Sequence, residues 1–467
     1  MEEEIIRNTP EALEEQLAIF LEKKQYGKAK ALLCEMQPAD IAGLLETVKP
    51  AELTILFRLL PKELAAETFV EMDNDMQETL ISAISDRELK AVVDEMYVDD
   101  AVDLVEEMPA GIVKRILRQA DAEMRRDINQ LLKYPEDSAG SIMTTEYVDL
   151  KKYMTVMESF ARIRKIGVDK ETIYTCYVTD ANRQLIGLVS VKDLLLADGE
   201  AHIEEIMETN ITYVHTLDDQ EQAARLFDRY DLLAVPVVDG EQRLVGIITV
   251  DDAIDVLQEE NTEDISKMAA VVPSEDTYLK TPVWKHAKNR FFWLLFLMLS
   301  ATITGSIITR YENTFAMVPI LVSFVPMLMD TGGNCGAQTS AIVIRGLALE
   351  EIRMKDYFRV LFKEIRIALL IGIPLAIVNG IRIFIMYGHD ASVIAQAPVA
   401  KLALITGFAL MGTIVLAKSI GCSLPMLAKK CKLDPALMAA PLLTTISDAC
   451  TVVIFFSLAM KILQITL

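Results

Sequence analysis

Two carboxylates stand alone in the most apolar part of this 467-residue chain. Asp330 lies in Met329-Asp330-Thr331-Gly332-Gly333-Asn334-Cys335-Gly336-Ala337-Gln338-Thr339, and Asp448 in Thr444-Thr445-Ile446-Ser447-Asp448-Ala449. A charged side chain at bilayer depth costs roughly 2.5–3.5 kcal/mol on insertion scales and usually faces a bundle interior or a water-filled path. Neither acid has a basic neighbour in its own run, so a mobile cation is the natural partner. Carboxylate and carbonyl oxygens suit a small, hard divalent cation that keeps part of its water. Asp448 fits that role. For Asp330, Asn334 and Gln338 two roles stay open. They line the path, or they are polar packing beside a kink or close approach permitted by Gly332, Gly333 and Gly336.

The elements that must hold these residues are apolar runs: 291–308, 315–344, 367–385, 402–417 and 435–460. Each is long enough, or nearly so, to cross about 30 Å of hydrocarbon as a helix, which predicts five spans. Lys285, Lys288 and Arg290 precede the first run. Arg345, Arg353, Lys355, Arg359, Lys363 and Arg366 separate the second from the third, and Lys429, Lys430 and Lys432 precede the fifth. Alternating spans put all three groups on one side, which the positive-inside rule makes cytoplasmic. The N-terminal half is then cytoplasmic and the C-terminus extracytoplasmic, in a multi-pass protein of the cell membrane. Arg382 and Lys418 fall near run ends, where long basic side chains snorkel to the interface. The start Met1-Glu2-Glu3-Glu4 has the wrong charge for a signal peptide.

Charge divides the chain. From Thr281 onward there are 9 acids and 17 bases; before it there are 59 acids and 29 bases, within a total of −22. So acidic a soluble half attracts cations and makes nucleic acid an unsuitable partner, since phosphate binding needs basic surface. To about Lys133 the pattern is short helices. Pro38-Ala39-Asp40-Ile41, Pro50-Ala51-Glu52-Leu53 and Pro61-Lys62-Glu63-Leu64 place proline at a first turn with an acid behind it, every 11 or 12 residues, as in a small superhelix. Asp99 and Asp103 share one helical face, and like charges at that spacing repel unless a cation or partner intervenes.

An internal repeat follows. Cys176-Tyr177-Val178-Thr179-Asp180 through Leu185-Ile186-Gly187-Leu188-Val189-Ser190-Val191-Lys192-Asp193 aligns with Val235-Pro236-Val237-Val238-Asp239 through Leu244-Val245-Gly246-Ile247-Ile248-Thr249-Val250-Asp251-Asp252, roughly 59 residues later. Each copy reads strand, turn, strand, capped helix. The arrangement resembles a tandem pair of CBS (cystathionine-β-synthase-type) domains, which often bind adenosine nucleotides. By that resemblance Lys192 and Asp193 are the cofactor-binding candidates, at the place where a ribose or phosphate is met, with ATP as the nucleotide; the tandem can equally be a structural hinge.

Six cysteines and four histidines are scattered without metal-ligand spacing, and no hydrolase, kinase or Walker signature appears, so an enzyme is not expected. The cysteines read as reduced and structural.

Three motifs together are similar to the MgtE family of magnesium channels: Tyr134-Pro135-Glu136-Asp137-Ser138-Ala139-Gly140, Asp251-Asp252-Ala253-Ile254-Asp255-Val256-Leu257, and the 330–338 insert. The resemblance spans the chain. It implies a multidomain fold: an all-α helical N-terminal superhelical domain (1–133), α/β tandem CBS domains (134–200 and 201–260), a connecting helix (261–288) and an α-helical transmembrane domain of five spans (289–467). It also implies a homodimer in the lipid bilayer, a pore between protomers with Asp448 at the selectivity site and the backbone around Thr444 and Thr445 helping to hold the water of a hydrated Mg2+, and closure by cytosolic Mg2+. Candidate regulatory ligands are Asp99 and Asp103 on the N domain, Asp219, Glu221 and Asp231 on the second CBS unit, and Asp252, Asp255, Glu260, Glu263 and Asp264 running into the connecting helix. That helix is expected from about Asp264 to Lys288, interrupted by Pro273 and Pro282.

Cys335 stands where the family pattern suggests a smaller residue, and Ala440 where some members carry asparagine, which puts strict Mg2+ preference in doubt. The competing expectation is an ion-coupled secondary transporter of divalent cations (Co2+, Mn2+, Ni2+) with nucleotide-sensing CBS domains. It would favour two similar membrane halves, which an odd span number does not supply.

Overall fold

The computed structural model describes residues 10–274, 278–279, 281–438 and 440–464. They form two compact units, Met1–Gln258 and Glu259–Leu467.

The first unit opens with ten helices: α1 (Pro10–Glu22), α2 (Tyr26–Leu33), α3 (Pro38–Glu46), α4 (Pro50–Phe57), α5 (Lys62–Val70), α6 (Asn74–Ala83), α7 (Asp86–Val93), α8 (Val98–Glu107), α9 (Ala110–Gln119) and α10 (Ala122–Leu131). From α3 onward each begins 12 residues after the last, a stricter period than the sequence suggested. Pro38 and Pro50 occupy first turns, where their missing N–H has no bond to lose, and Pro61 sits one residue earlier as the cap of α5. Elsewhere side chains close the helix starts: Asp73, Ser85 and Asp121 each accept first-turn amides. Most of these helices pack on the next but one, burying Leu45, Leu56, Phe69, Leu80 and Leu89 completely or nearly so.

The repeat folds as two copies of one sheet. β1 (Asp149–Lys151) runs parallel to β2 (Thr175–Thr179), which pairs antiparallel with β3 (Leu185–Ser190); β4 (Val214–His215), β5 (Ala234–Val238) and β6 (Leu244–Thr249) repeat the pattern. The second and third strands of each copy are offset by 59 residues, and both pairs carry the same register irregularity. The accompanying helices are α11 (Val156–Ile166), α12 (Val191–Leu196), α13 (Ile203–Ile206), α14 (Gln220–Tyr230) and α15 (Val250–Met268). The copies exchange contacts: Met143, opening the first, presses on Gly246 of the second, and Met207, opening the second, on Gly187 of the first. At either glycine an added Cβ would sit 2.6 Å from the methionine sulfur. At Gly246 the Thr144 carbonyl oxygen, 2.7 Å from such a Cβ, leaves room for nothing larger than glycine.

From Glu259 the rest of α15 belongs to the second unit. That helix ends at Met268, ahead of Pro273, and helix resumes after Pro282, so no single helix covers the expected 264–288 stretch; residues 275–277 and 280 lie outside the described residues. The second unit then holds α16 (Val283–Arg310), α17 (Glu312–Met317), α18 (Val325–Ala348), α19 (Tyr357–Tyr387), α20 (Ala391–Ile394), α21 (Val399–Lys430) and α22 (Ala440–Leu463). Among the described residues four helices are long and apolar enough to cross a membrane, within 283–310, 354–387, 399–430 and 435–463. The remaining expected span, the second in chain order, corresponds to α18, which has 24 residues, about 36 Å at 1.5 Å per residue, but carries the polar insert. The apolar run before it breaks into α17, a 3-10 turn at Pro319–Phe324, and α18. α21 packs against α18, α19 and α22, and α18 against α22. α16 buries only Thr304.

Candidate functional site

In the first unit the acids of α8 meet acids from the CBS pair. Oxygens of Asp99, Glu146 and Glu171 lie within 4.8 Å of one another. Glu146 Oε2 accepts the Val98 amide at 3.0 Å, which ties the start of α8 to the first CBS copy. Asp99 is 8% exposed, and its one hydrogen bond among the described residues comes from the Asp100 N–H. Glu171 Oε2 is buried without a partner. Asp252, whose carboxylate accepts the Thr249 hydroxyl as it closes the start of α15, belongs to the same field.

Burial and mutual repulsion hold these carboxyls above their usual range. Asp99 is raised by burial and then by Asp100, and Asp252 by burial and then by Asp99. Asp100 is pushed up to about 7 by burial and by Asp252 and Asp251; Glu171 is pushed up to about 9 by burial and by Asp99 and Asp100. The Asp103 side chain stays open to solvent, yet the protein crowding around it and the charges of Asp99 and Asp252 push its carboxyl up to about 8. Such a set is all hard oxygen, which is what Mg2+ or Ca2+ accepts.

The other regulatory candidates have local partners. Asp219 caps α14 by accepting the Gln222 amide at 3.2 Å, and Glu221 pairs with Arg225. Asp231 ends α14 in the left-handed region at φ 52°, and Asp255 is exposed and raised by burial and by Asp251. In the second unit Lys267 bridges Glu263 and Asp434, 2.7 Å from each, so the end of α15 is tied to the linker between α21 and α22. Glu260 and Asp264 lie on α15 before that tie. Of the nucleotide candidates, Lys192 is exposed, and Asp193 forms a reciprocal cap with Ser190 at the start of α12.

In the membrane-type bundle Asp330, Asn334 and Gln338 fall at i, i+4 and i+8 on α18, and all three are exposed. The opposite face is packed: Gly332, Gly333, Cys335, Gly336, Thr339 and Ser340 are buried. A Cβ on Gly332 would stand 2.7 Å from Thr413 Cγ2, and one on Gly336 2.2 Å from Leu443 Cδ2. The insert is thus two-sided: the glycines permit close packing, and the acid and amides form an outward polar stripe. α18 runs unbroken, so there is no kink whose backbone Asn334 and Gln338 would satisfy. Asp448 is half-buried in the middle of α22, capping nothing, and its charge interacts with that of Asp330. Thr444 and Thr445 hydroxyls both donate to the Pro441 carbonyl, at 2.9 and 3.1 Å.

Lys418 corrects the snorkelling expectation. It is 4% exposed, and its Nζ donates to Glu364 Oε2 at 3.3 Å and Thr339 Oγ1 at 3.0 Å. Arg382 stays exposed and donates to Asn379. The cysteines are all unpaired, as expected.

Residues 325–458 match the MgtE divalent cation transporter family, 36–137 the MgtE intracellular N domain, and 139–200 and 203–259 the CBS domain. The magnesium transporter MgtE of Thermus thermophilus is 35% identical over 97% of this chain and all of its own length. The chain belongs to the MgtE family. The MgtE of Bacillus subtilis is 31% identical over 95% of this chain and 96% of its own. A crystal structure of the cytosolic domain of the Mg2+ channel MgtE in complex with ATP superposes on 52% of this chain and 99% of its own, at 35% identity and a TM-score of 0.50. Membership accounts for the order of N domain, CBS pair and helical C-terminal region in this MgtE protein. Glu146, Glu171, Glu364 and Asp434 were missed by sequence reading. Glu146 lies 47 residues from Asp99 and Glu171 lies 72, and no spacing rule connects them before the chain has folded.

Proposed function

We propose that this MgtE protein carries Mg2+ across the cell membrane through a path lined by Asp448, helped by Thr444 and Thr445 and by the Asp330–Asn334–Gln338 stripe. The observation that carries this reading is the pairing of two interacting carboxylates, Asp330 and Asp448, with no basic partner among the described residues of an apolar bundle. A polar stripe on the outside of a membrane helix is costly against lipid, so it belongs on a water-filled path or a protomer interface. In a twofold dimer each such residue becomes a pair facing a shared axis. α16, with one buried residue, has an unoccupied face for a second copy. In this reading α18 is the second of five spans, the N-terminal unit and the basic linkers are cytosolic, and the C-terminus is outside. The end-to-end similarity to transporters named for magnesium supports the cargo.

Closure by cytosolic Mg2+ is the second half of the proposal. Asp99, Asp103 and Asp252 repel one another until a divalent cation bridges them, with Glu146 and Glu171 completing the oxygen set. A ligand shifts an equilibrium only by its preference for one state, and these mutually raised acids supply that preference. Asp252 and Asp255 begin α15, and Glu260, Glu263 and Asp264 continue it. Asp219, Glu221 and Asp231 are further ligands in this scheme. ATP would be held at the first CBS copy near Lys192 and Asp193, by analogy with the ATP-bound relative.

Proteoliposome uptake of Mg2+ tests both halves. Full-length protein should carry Mg2+ and slow when millimolar Mg2+ loads the side of the acidic unit; protein lacking 1–133 should carry it without slowing. Unchanged Mg2+ sensitivity in the truncated protein would move the sensor out of the N domain.

A further inference from the structure

Among the described residues the bundle holds a buried ion pair, Lys418–Glu364, joined by Thr339, and the three residues come from three helices. Lys418 on α21 is 4% exposed, Glu364 on α19 is 7% exposed and Thr339 on α18 is 1% exposed. The ammonium donates to Glu364 Oε2 at 3.3 Å and to Thr339 Oγ1 at 3.0 Å, and the threonine hydroxyl donates to the same Glu364 oxygen at 3.0 Å. The hydroxyl thus accepts from the cation and donates to the anion, closing a ring that an apolar side chain such as Val cannot complete. A buried pair is seldom retained for stability, because apolar residues of similar volume often do as well; its best-attested use is to fix register.

Register is tightly set at this place. One turn from Lys418, a Cβ on Gly421 would stand 2.5 Å from the Gly336 carbonyl oxygen and 3.2 Å from Thr339 Cβ, so α18 and α21 touch backbone to backbone beside the ring. Sliding α18 by one turn, 5.4 Å, would take Thr339 out of reach of both charges. Asp330 lies on the same helix, nine residues before Thr339.

We infer that the Lys418–Glu364–Thr339 ring is a positioning lock that sets the height of α18, and with it Asp330, Asn334 and Gln338, against the helices carrying the rest of the path. This rests on the reading of α18 as path-lining. Groups that orient ligand-bearing elements typically change metal affinity 10–100-fold when removed.

The test is uptake by full-length protein in proteoliposomes, read as KM for Mg2+ and as the Mg2+ to Co2+ ratio. Thr339→Val and Glu364→Gln should each raise KM and lower the ratio by about tenfold or more, while Thr339→Ser stays at wild type. Glu364→Gln/Lys418→Met, which leaves no unpaired charge but no ring, should behave like Glu364→Gln. Wild-type values in Thr339→Val, or full recovery in the double variant, would reduce the ring to charge compensation and overturn the lock. Should Thr339→Val fail to assemble, Thr339→Ser against Thr339→Ala decides the same point: a difference supports the lock, and equal values overturn it. If wild type carries no more Mg2+ than Asp448→Ala, the transport reading fails instead. The lock is then judged by hydrogen exchange along α18, which Thr339→Val must accelerate and Thr339→Ser must not.

Discussion

The acids of the cytosolic unit and those of the membrane bundle are treated in opposite ways. Around Asp99 several carboxylates crowd together inside a folded interface, Glu171 Oε2 has no partner, and their protons are held tightly. Among the described residues of the bundle the buried acid, Glu364, is neutralised by Lys418, whereas Asp330 and Asp448, which have no base in contact, have access to solvent. Inside the bundle, contact with Lys418 makes Glu364 part of the structure, whereas Asp330 and Asp448 are left to meet a cation that passes through; in the cytosolic cluster burial favours a cation that is retained as a regulator.

The comparison breaks most visibly at Asp448. Asp448→Ala should bring Mg2+ uptake to background with assembly unchanged on size-exclusion chromatography. Removing a buried acid whose partner is Lys418 should instead strand a charge, which costs about 3–5 kcal/mol and shows in the yield of assembled protein. Normal uptake by Asp448→Ala would take this residue out of the path and leave the contrast between the two kinds of acid without a functional side.

The cytosolic cluster predicts a pH dependence of definite sign. Asp100, Asp103 and Glu171 are held at about 7, 8 and 9 in the folded unit, against about 4 for free carboxyls. The folded state therefore binds more protons than the unfolded state between these limits, so stability is full below about pH 4 and falls as pH rises through 7 to 9. In EDTA the cytosolic half should melt lower at pH 8 than at pH 5.5. About 1 kcal/mol corresponds to about 2–4 °C for a unit of this size, and the fall should reach that or more. Mg2+ should remove it by replacing the protons. Asp99→Asn/Asp252→Asn should flatten the profile in EDTA and weaken closure by Mg2+ about tenfold or more for each carboxylate lost, about 1.4 kcal/mol apiece. A flat wild-type profile in EDTA would mean the acids are not crowded in solution.

Much of this was legible in the chain. The 59-residue offset of the CBS copies, proline at the starts of α3 and α4, and the intramembrane isolation of Asp448 all follow from local patterns: period, cap chemistry and hydropathy. Less was legible where function depends on which distant residues meet. Lys418 reads as a snorkelling lysine because its neighbours in sequence are apolar, and only the fold brings Glu364, 54 residues away, against it. Glu146 and Glu171 read as two acids among many in an acidic half, and only the packing of α8 on the first CBS copy selects them. α18 was legible as helical, but a kink and a close approach stayed open at its glycines, because glycine in a sequence does not distinguish the two; Leu443 and Thr413 pressing on Gly336 and Gly332 favour approach.

The smallest expected effect tests the contrast inside the bundle. Asp330, Asn334 and Gln338 share an exposed face one residue over from the packed glycines, so a change there alters what the helix presents without altering how it packs. Asp330→Asn keeps the shape and removes only the charge. Because Asp448 remains, uptake should persist with a higher KM for Mg2+, and the protein should assemble as well as wild type. The increase should grow with ionic strength lowered, since an exposed charge acts through a field that salt screens over about 8–10 Å. If Asp330→Asn instead collapses the assembly, Asp330 is a packing residue after all. Meeting the passing cation would then fall to Asp448 alone in this bundle.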